Sequence, residues 1–132
     1  MSWKDTLGTV SEIAVPNSAI GELMALTLAR HKRALERVLP RGVQMAFVVT
    51  GTKREEWVLD FGRPICLRSG RSAWPDCLIE CSEAYLIDLF SGQGDMRAAF
   101  VSGQIGVQGD VGLLFAIELA FCALPMSTPA SV

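Results

Sequence analysis

The segment from Val111 to Leu124 constrains the fold of this chain more than any other part of its sequence. It predicts a helix that ends before Pro125 and has apolar side chains on every side, because Glu118 is its only charged residue. A surface helix of a soluble domain has one polar face. This helix must therefore be buried, cover a cavity, or contact a membrane or a partner protein. Its length of about fourteen residues falls short of the roughly 20 that span a bilayer.

Length and composition predict one domain with a substantial core. The chain has 132 residues, of which 50% are hydrophobic and 20% are charged, a balance typical of a packed domain. We expect an N-terminal arm or short helix over residues 1–17, a single domain over residues 18–124, and a flexible tail over residues 125–132. The net charge of −2 disfavours nucleic acid as a partner. The first residues lack the apolar stretch of a signal peptide, which predicts a cytoplasmic protein.

A long amphipathic helix is predicted from Ser18 to Leu39. Its apolar residues recur at intervals of three and four, the spacing of one buried stripe. Pro40 and Gly42 end it, because proline disfavours helical geometry in the residue before it and glycine readily adopts the conformations that end helices.

Five short strands are predicted after this helix. They are rich in β-branched and aromatic residues or alternate between apolar and polar ones, and turn signals separate them. The strands cover residues 45–50, 55–61, 64–68, 76–82 and 104–108. Short turns join the first three, which therefore form two hairpins.

Alternation in the second strand predicts a sheet with one face toward a core and one toward water. Trp57, Leu59 and Phe61 share one face. The intervening residues, Val58 among them, are expected on the face that is open to water.

Two further helices are predicted between the fourth and fifth strands. Ser82 can cap a helix that ends at Gly92, and Asp95 can cap a shorter one that ends at Gly103. The inward side chains of the shorter helix are expected to be Met96, Ala99 and Phe100. Helices and strands in this order make the chain a single α+β domain.

The order of these elements, with several local motifs, resembles the sterol carrier protein 2 family over residues 40–121. The motifs are Trp57-Val58-Leu59-Asp60, Pro75-Asp76-Cys77-Leu78-Ile79-Glu80-Cys81-Ser82, Leu89-Phe90-Ser91-Gly92, Ala99-Phe100 and Gly103-Gln104-Ile105-Gly106-Val107-Gln108-Gly109-Asp110. The resemblance implies a five-stranded, mixed and largely antiparallel sheet covered by helices. It also implies an apolar cavity between sheet and helices that takes sterols, acyl chains or other lipids, with no metal, no cofactor and no fixed catalytic group.

We expect the chain to bind a hydrophobic small molecule, such as a sterol, acyl chain, isoprenoid or polyketide-like compound, for carrying or presentation. Burial of about ten methylenes at roughly 0.8 kcal/mol each gives about 8 kcal/mol before ordering costs, so no polar anchor is required. The side chains expected to line the cavity are Phe47, Trp57, Leu59, Ile79, Phe90, Met96, Phe100, Leu114, Phe115, Ile117 and Phe121. The spacing of these residues fits an ordinary hydrophobic core as well as it fits a cavity lining.

Two other functions are compatible with the sequence. A cofactor-free cyclase or isomerase can use the same cavity, with an apolar intermediate polarised by Tyr85, Asp88, Glu80 or His31. A carboxylate or histidine with a perturbed pKa inside the cavity would favour this enzyme. Alternatively, the last helix can bind a partner protein. The chain can also form a homodimer, and the basic run over residues 30–37 can make transient contact with a membrane.

The cysteines and the histidine do not predict a metal site. Cys77 and Cys81 are four residues apart in one strand, and His31 is the only histidine, so the closely spaced pairs of a zinc site are absent from the sequence. In a reducing compartment we expect these cysteines, with Cys66 and Cys122, to be free thiols that act mainly as small apolar residues.

Overall fold

The computed structural model describes residues 18–62 and 64–122. The arm or helix expected over residues 1–17 and the tail expected over residues 125–132 lie outside the described residues, as do residues 123 and 124. The elements in chain order are α1 (Ala19–Arg30), α2 (Lys32–Val38), β1 (Gln44–Thr50), β2 (Glu55–Asp60), β3 (Cys66–Ser69), β4 (Cys77–Ser82), α3 (Glu83–Ser91), α4 (Met96–Val101), β5 (Gly106–Gly109) and α5 (Val111–Cys122).

The strands form one five-stranded sheet in the order β3-β2-β1-β4-β5. β1 and β4 are parallel, whereas the other neighbouring pairs are antiparallel. The sheet is therefore mixed and largely antiparallel, and with its helices it confirms the expected α+β fold. β1 lies at the centre, and its residues from Met45 to Val49 are all buried, as in a strand that is covered on both faces.

Helices cover the face of the sheet that we call the inner face. Trp57, Phe47 and Ile79 lie there side by side in one row across β2, β1 and β4. α3 packs on β1 and β4, α5 packs on β4, and α1 packs on α3. The core of the domain is therefore the layer between the inner face and these helices.

The helix predicted from Ser18 to Leu39 is broken at His31, which corrects the expectation of one continuous helix. The φ and ψ angles of His31, −108° and 20°, lie outside the helical region, and α1 ends there while α2 begins. α1 packs on α3, whereas α2 packs on α5. The break lets the chain follow two different neighbours, a tertiary effect that helical periodicity does not report.

The predicted caps of α3 and α4 are confirmed. Ser82 Oγ accepts a hydrogen bond from the Tyr85 amide at 3.3 Å, and Asp95 Oδ1 accepts one from the Ala98 amide at 3.0 Å. α3 ends at Gly92, whose φ of 72° is a left-handed conformation that favours glycine.

The parallel pairing of β1 with β4 forces the chain to return along the sheet. After β3 the Gly70 amide donates to the Glu56 carbonyl oxygen at 2.9 Å, and before β4 the Asp76 amide donates to the Gln44 carbonyl oxygen at 2.8 Å. Glu56 pairs with Val48 of β1, and Val48 is four residues from Gln44, so the two hydrogen bonds lie about 13 Å apart along the sheet. Because helices cover the inner face, residues 70–76 cross the opposite one, the outer face.

This crossing loop buries much of the outer face, so the expectation that Val58 faces water is wrong. Val58 is fully buried, and Ala46 and Val48 beside it on β1 are only 6% and 7% exposed. Alternation along a strand predicts which side chains share a face, but the covering of that face depends on the path of a distant loop.

Gly92→Ala should destabilise the protein more than Gly103→Ala. Both glycines end a helix with a positive φ, 72° and 80°, so each alanine incurs about 1 to 2 kcal/mol of backbone strain. A Cβ at Gly92 would also lie 2.7 Å from the Phe121 carbonyl oxygen, whereas nothing lies within 4 Å of one at Gly103. In urea unfolding we expect Gly92→Ala to lower the free energy of unfolding by about 1 to 3 kcal/mol more than Gly103→Ala does. Equal losses would contradict the close packing of α5 on the end of α3.

Candidate functional site

Aromatic rings connect the sheet to α3 and α5. Phe47 on β1 meets Phe90 on α3 with ring centroids 5.8 Å apart, and Phe90 meets Phe121 on α5 at 4.8 Å. The His31 ring, between α1 and α2, lies 5.6 Å from the Phe121 ring. The row of rings passes through the layer in which the apolar cavity is expected.

α5 covers this layer with an apolar stripe. Its inward residues, each at most 6% exposed, are Leu113, Leu114, Ile117, Ala120 and Phe121. The helix packs against α2, α3, α4 and β4, so it lies across the other helices as well as the sheet. The inward side of α5 is therefore part of the core.

Contacts at the edge of α5 attach it to α4. Glu118, the only charged residue of α5, accepts a hydrogen bond from the Met96 backbone amide at 2.9 Å. The guanidinium carbon of Arg97 lies 5.0 Å from the ring centroid of Phe115, a cation–π distance. Leu119, on the side of α5 away from the sheet, is 64% exposed. The helix therefore combines a buried apolar stripe, a polar attachment at its edge and an apolar outer side.

Nine of the eleven side chains expected to line the cavity are buried. They are Phe47, Trp57, Leu59, Ile79, Phe90, Met96, Leu114, Ile117 and Phe121. Phe115 is half-buried. Phe100 is 37% exposed and packs its ring on Phe115 at 6.4 Å, so its expected inward direction is wrong. α4 has six residues and buries Met96 and Ala99; Phe100 lies about 40° round the helix from Met96 and about 100° from Ala99, at the outer edge of that buried side.

Several side chains that were not on the expected list share the same core. Met24 and Leu28 of α1 and Leu86 of α3 are fully buried in one cluster with the residues above. The stripe of α1 predicted that its apolar side chains are buried. The packing of α1 on α3 brings these side chains to the inner layer, and the spacing of residues within α1 gives no information on that packing.

The layer between sheet and helices holds almost no polar groups. Among the described residues Thr27 is the one buried polar side chain, and its hydroxyl donates to the Phe90 carbonyl oxygen at 3.3 Å. No buried side-chain nitrogen or oxygen in residues 18–62 and 64–122 lacks a hydrogen-bond partner. A ligand in this layer would therefore be selected by its shape and apolar area.

The side chains considered for catalysis lie on different surfaces. Glu80 is on the outer face of the sheet, Asp88 is exposed, and Tyr85 is half-buried. His31 is half-buried beside Phe121, where burial and the neighbouring Arg30 charge lower the pKa of its imidazole. The neutral form of His31 is therefore favoured, and its ring packs against that of Phe121 at the edge of the layer.

The outer face of the sheet carries a cavity that the sequence did not predict, which we call the outer cavity. Its volume is about 470 Å³, and it lies between the crossing loop and strands β1, β2, β4 and β5. Ala46, Val48 and Leu78 form its apolar floor. No local motif marks it, because it exists only through the path of residues 70–76 across the sheet.

Neither a metal cluster nor a membrane-spanning helix occurs in the part of the chain that the structure describes. No three His, Cys, Asp or Glu side chains of residues 18–62 and 64–122 lie close enough to hold a metal ion. No helix in these ranges is both long and apolar enough to cross a bilayer.

A sequence profile identifies the family of this chain. The profile of the SCP-2 sterol transfer family matches residues 25–121, which span the sheet and most of the helices. The chain therefore belongs to the SCP-2 sterol transfer family, as the motifs led us to expect. No curated protein matches the chain in sequence.

Solved structures of sterol carrier protein domains share the fold. The sterol carrier protein domain 2 of Helicoverpa armigera is 21% identical, with a TM-score of 0.62, and the match covers 86% of this chain and 98% of that one. Sterol Carrier Protein 2 from Yarrowia lipolytica, in its apo form, is 21% identical with a TM-score of 0.56, covering 70% and 73%. A UbiJ-SCP2 ubiquinone synthesis protein is 23% identical with a TM-score of 0.53, covering 67% and 78%. At these identities the likeness establishes the fold.

Two of the cysteines are held as thiols by their surroundings. Burial, with the nearby Asp110 and Asp76 charges, raises the pKa of Cys77 to about 11, and burial raises the pKa of Cys81 to about 12. Both therefore act as small apolar core residues at neutral pH.

In the folded protein, Cys77 and Cys81 should resist alkylation at pH 8. The thiolate is the nucleophile, and a thiol with a pKa of about 11 is only about 0.1% ionised at that pH. After brief treatment with iodoacetamide, mass spectrometry should find label on the exposed Cys122 and the half-buried Cys66. Unfolding in urea should make all the cysteines reactive. Equal labelling rates of Cys81 and Cys122 in the folded protein would contradict the burial of β4.

Proposed function

We propose that the chain binds an apolar small molecule between the inner face of its sheet and α5, and carries or presents it. Membership of the SCP-2 sterol transfer family supports a lipid-like ligand. The observation that carries the proposal is the position of α5, whose wholly apolar inward stripe covers the aromatic rings of the inner layer. With Thr27 already bonded to Phe90, apolar contact is the main source of affinity there.

Binding in this layer requires α5 to move, because side chains already pack closely there. The Phe90 and Phe121 rings are 4.8 Å apart, and protein interiors leave few voids larger than a water molecule. The contacts that attach α5 to α4 are the Glu118 hydrogen bond and the packing of Arg97 on Phe115. An acyl chain that buries about ten methylenes gains about 8 kcal/mol, which is enough to offset partial separation of the inward stripe from the sheet. α5 then acts as a lid whose closed position is a core helix.

One observation supports a second candidate, a cofactor-free cyclase or isomerase. His31 is half-buried, its pKa is lowered, and its ring touches Phe121 at the edge of the layer. A neutral imidazole can accept a proton from an apolar intermediate, as a general base must. Turnover of a bound precursor that His31→Gln abolishes without loss of binding would favour this enzyme over a carrier.

Native mass spectrometry of freshly purified protein is the experiment that tests the proposal. We expect one apolar molecule per chain, and organic extraction should then identify its chemical class. A protein that is always empty and binds no sterol, fatty acid or polyketide-like probe would contradict the proposal. The exposed apolar side of α5 would then favour a partner-binding role.

Ile117→Phe should weaken the binding of an added fatty acid by about tenfold or more, since the larger ring takes up part of the space that opens beneath α5 for the ligand. Ile117 is fully buried, whereas Leu119, two residues further on, is 64% exposed. Leu119→Phe is therefore the matched control and should bind as the parent protein does. Thermal unfolding of both variants checks that the fold is retained. Equal effects of the two substitutions would place the ligand outside the inner layer.

A further inference from the structure

Strand pairing arranges the outer face of the sheet beneath the outer cavity in two rows, and the apolar floor of the cavity is the part of these rows formed by Ala46, Val48 and Leu78. Val58, Ala46 and Leu78 lie in one row across β2, β1 and β4, and Glu56, Val48 and Glu80 lie in the next. The crossing loop forms a wall over these rows, and the volume of about 470 Å³ falls within the roughly 300–1,000 Å³ of small-molecule sites. This cavity and the inner layer lie on opposite faces of the sheet, so a site here is independent of the proposed function.

Two arginines share one carboxylate at the β2 end of the cavity. Arg71 Nε lies 2.7 Å from Glu56 Oε1 and its Nη2 lies 3.2 Å from Glu56 Oε2, while Arg54 Nε lies 3.5 Å from Glu56 Oε2. The side chains of Arg54 and Arg71 are 56% and 76% exposed, and a guanidinium carries five N–H groups, so donors of both remain directed to solvent.

An adjoining cavity of about 320 Å³ adds a further cation at this end. Lys53 lines it together with Arg54, Arg71, Glu55 and Glu56. Glu55 already accepts hydrogen bonds from the Ser18 hydroxyl at 2.8 Å and the Trp57 indole at 3.1 Å. Three cations against two carboxylates leave one positive charge in excess at this end.

The opposite end of the outer cavity is negative. Glu80 lies two strands from Glu56, or about 10 Å, and faces Gly106 across the β4–β5 pair. Among the described residues the side chain of Glu80 has no hydrogen-bond or ion-pair partner, and Glu80 is exposed. An anion is therefore favoured at the arginine end and disfavoured at the Glu80 end.

From this arrangement we propose that the outer cavity is a second binding site, which takes a small amphipathic anion. The acidic group of the ligand binds the free N–H groups of Arg54 and Arg71, and its apolar part lies on Ala46, Val48 and Leu78. Glu80 fixes the orientation by repelling the acidic group. A guanidinium suits a carboxylate or a phosphate equally, because both accept paired N–H donors.

Decanoate titrated into the ¹⁵N-labelled full chain tests this site, with decanol as the uncharged probe of equal chain length. Decanoate should shift the Gly70, Gly106 and Gly109 amides in a saturable way, and decanol should bind there about tenfold more weakly or worse. Signals of α5 report the inner layer separately, so either site can fail without the other.

Arg54→Gln should weaken the binding of decanoate, as followed at these amides, by about tenfold. Arg33→Gln, on the exposed part of α2, is the matched control and should have no effect. Arg54 is chosen because Arg71 also attaches the crossing loop to β2. Val48→Phe fills the floor and should remove the outer shifts while those of α5 persist. Shifts confined to α5, equal binding of decanoate and decanol at the outer amides, or equal effects of Arg54→Gln and Arg33→Gln would each overturn the proposal.

Discussion

The parallel pairing of β1 with β4 is the constraint on which the rest of this structure depends. Parallel neighbours cannot be joined by a tight turn, because the chain must come back to the end where the first strand began. Here the β2–β3 hairpin takes up part of the connection, and residues 70–76 return along the sheet from Glu56 to Gln44. That return occupies the outer face and leaves the inner face to the helices. Both the inner layer and the outer cavity follow from it.

The inner layer explains why the last helix is apolar on every side. Leu114, Ile117 and Phe121 face the sheet, where an unpaired polar group would cost free energy. Leu119 faces outward at 64% exposure, so the helix exposes apolar surface that an ordinary surface helix would replace with charge. Glu118 lies between these sides and bonds to the start of α4. A helix with this distribution can pack as core when closed and cover a ligand when displaced, which joins the two roles that the sequence left open.

Features with a local signal could be predicted from the sequence, and features made by tertiary contact could not. Ser82 and Gly92 bound α3 as their side-chain and backbone preferences require. The break at His31 and the outward position of Phe100 arise from which neighbour each helix turn meets. Burial of most candidate ligand residues followed from their spacing, but the contact of Phe90 with both Phe47 and Phe121 needed the fold.

The outer cavity illustrates the same limit more sharply. Strand alternation placed Val58 on the face opposite Trp57, which is correct, yet it gave no information on what covers that face. The covering loop comes from a part of the chain with no regular pattern, and its attachment to Glu56 through Arg71 is a long-range contact. Alternation therefore predicted the two faces of the sheet and not the path of the connection across one of them.

The most direct test of the central claim is an isotope-filtered NMR experiment on the protein loaded with a fatty acid, which detects ligand protons within about 5 Å of protein methyl groups. A ligand beneath α5 should give cross-peaks to the methyl groups of Leu114 and Ile117, both fully buried, and none to the exposed methyl groups of Leu119. Saturable binding with cross-peaks only to Leu119 and Val101, on the outer side of α5 and α4, would contradict a ligand site between the sheet and the helices.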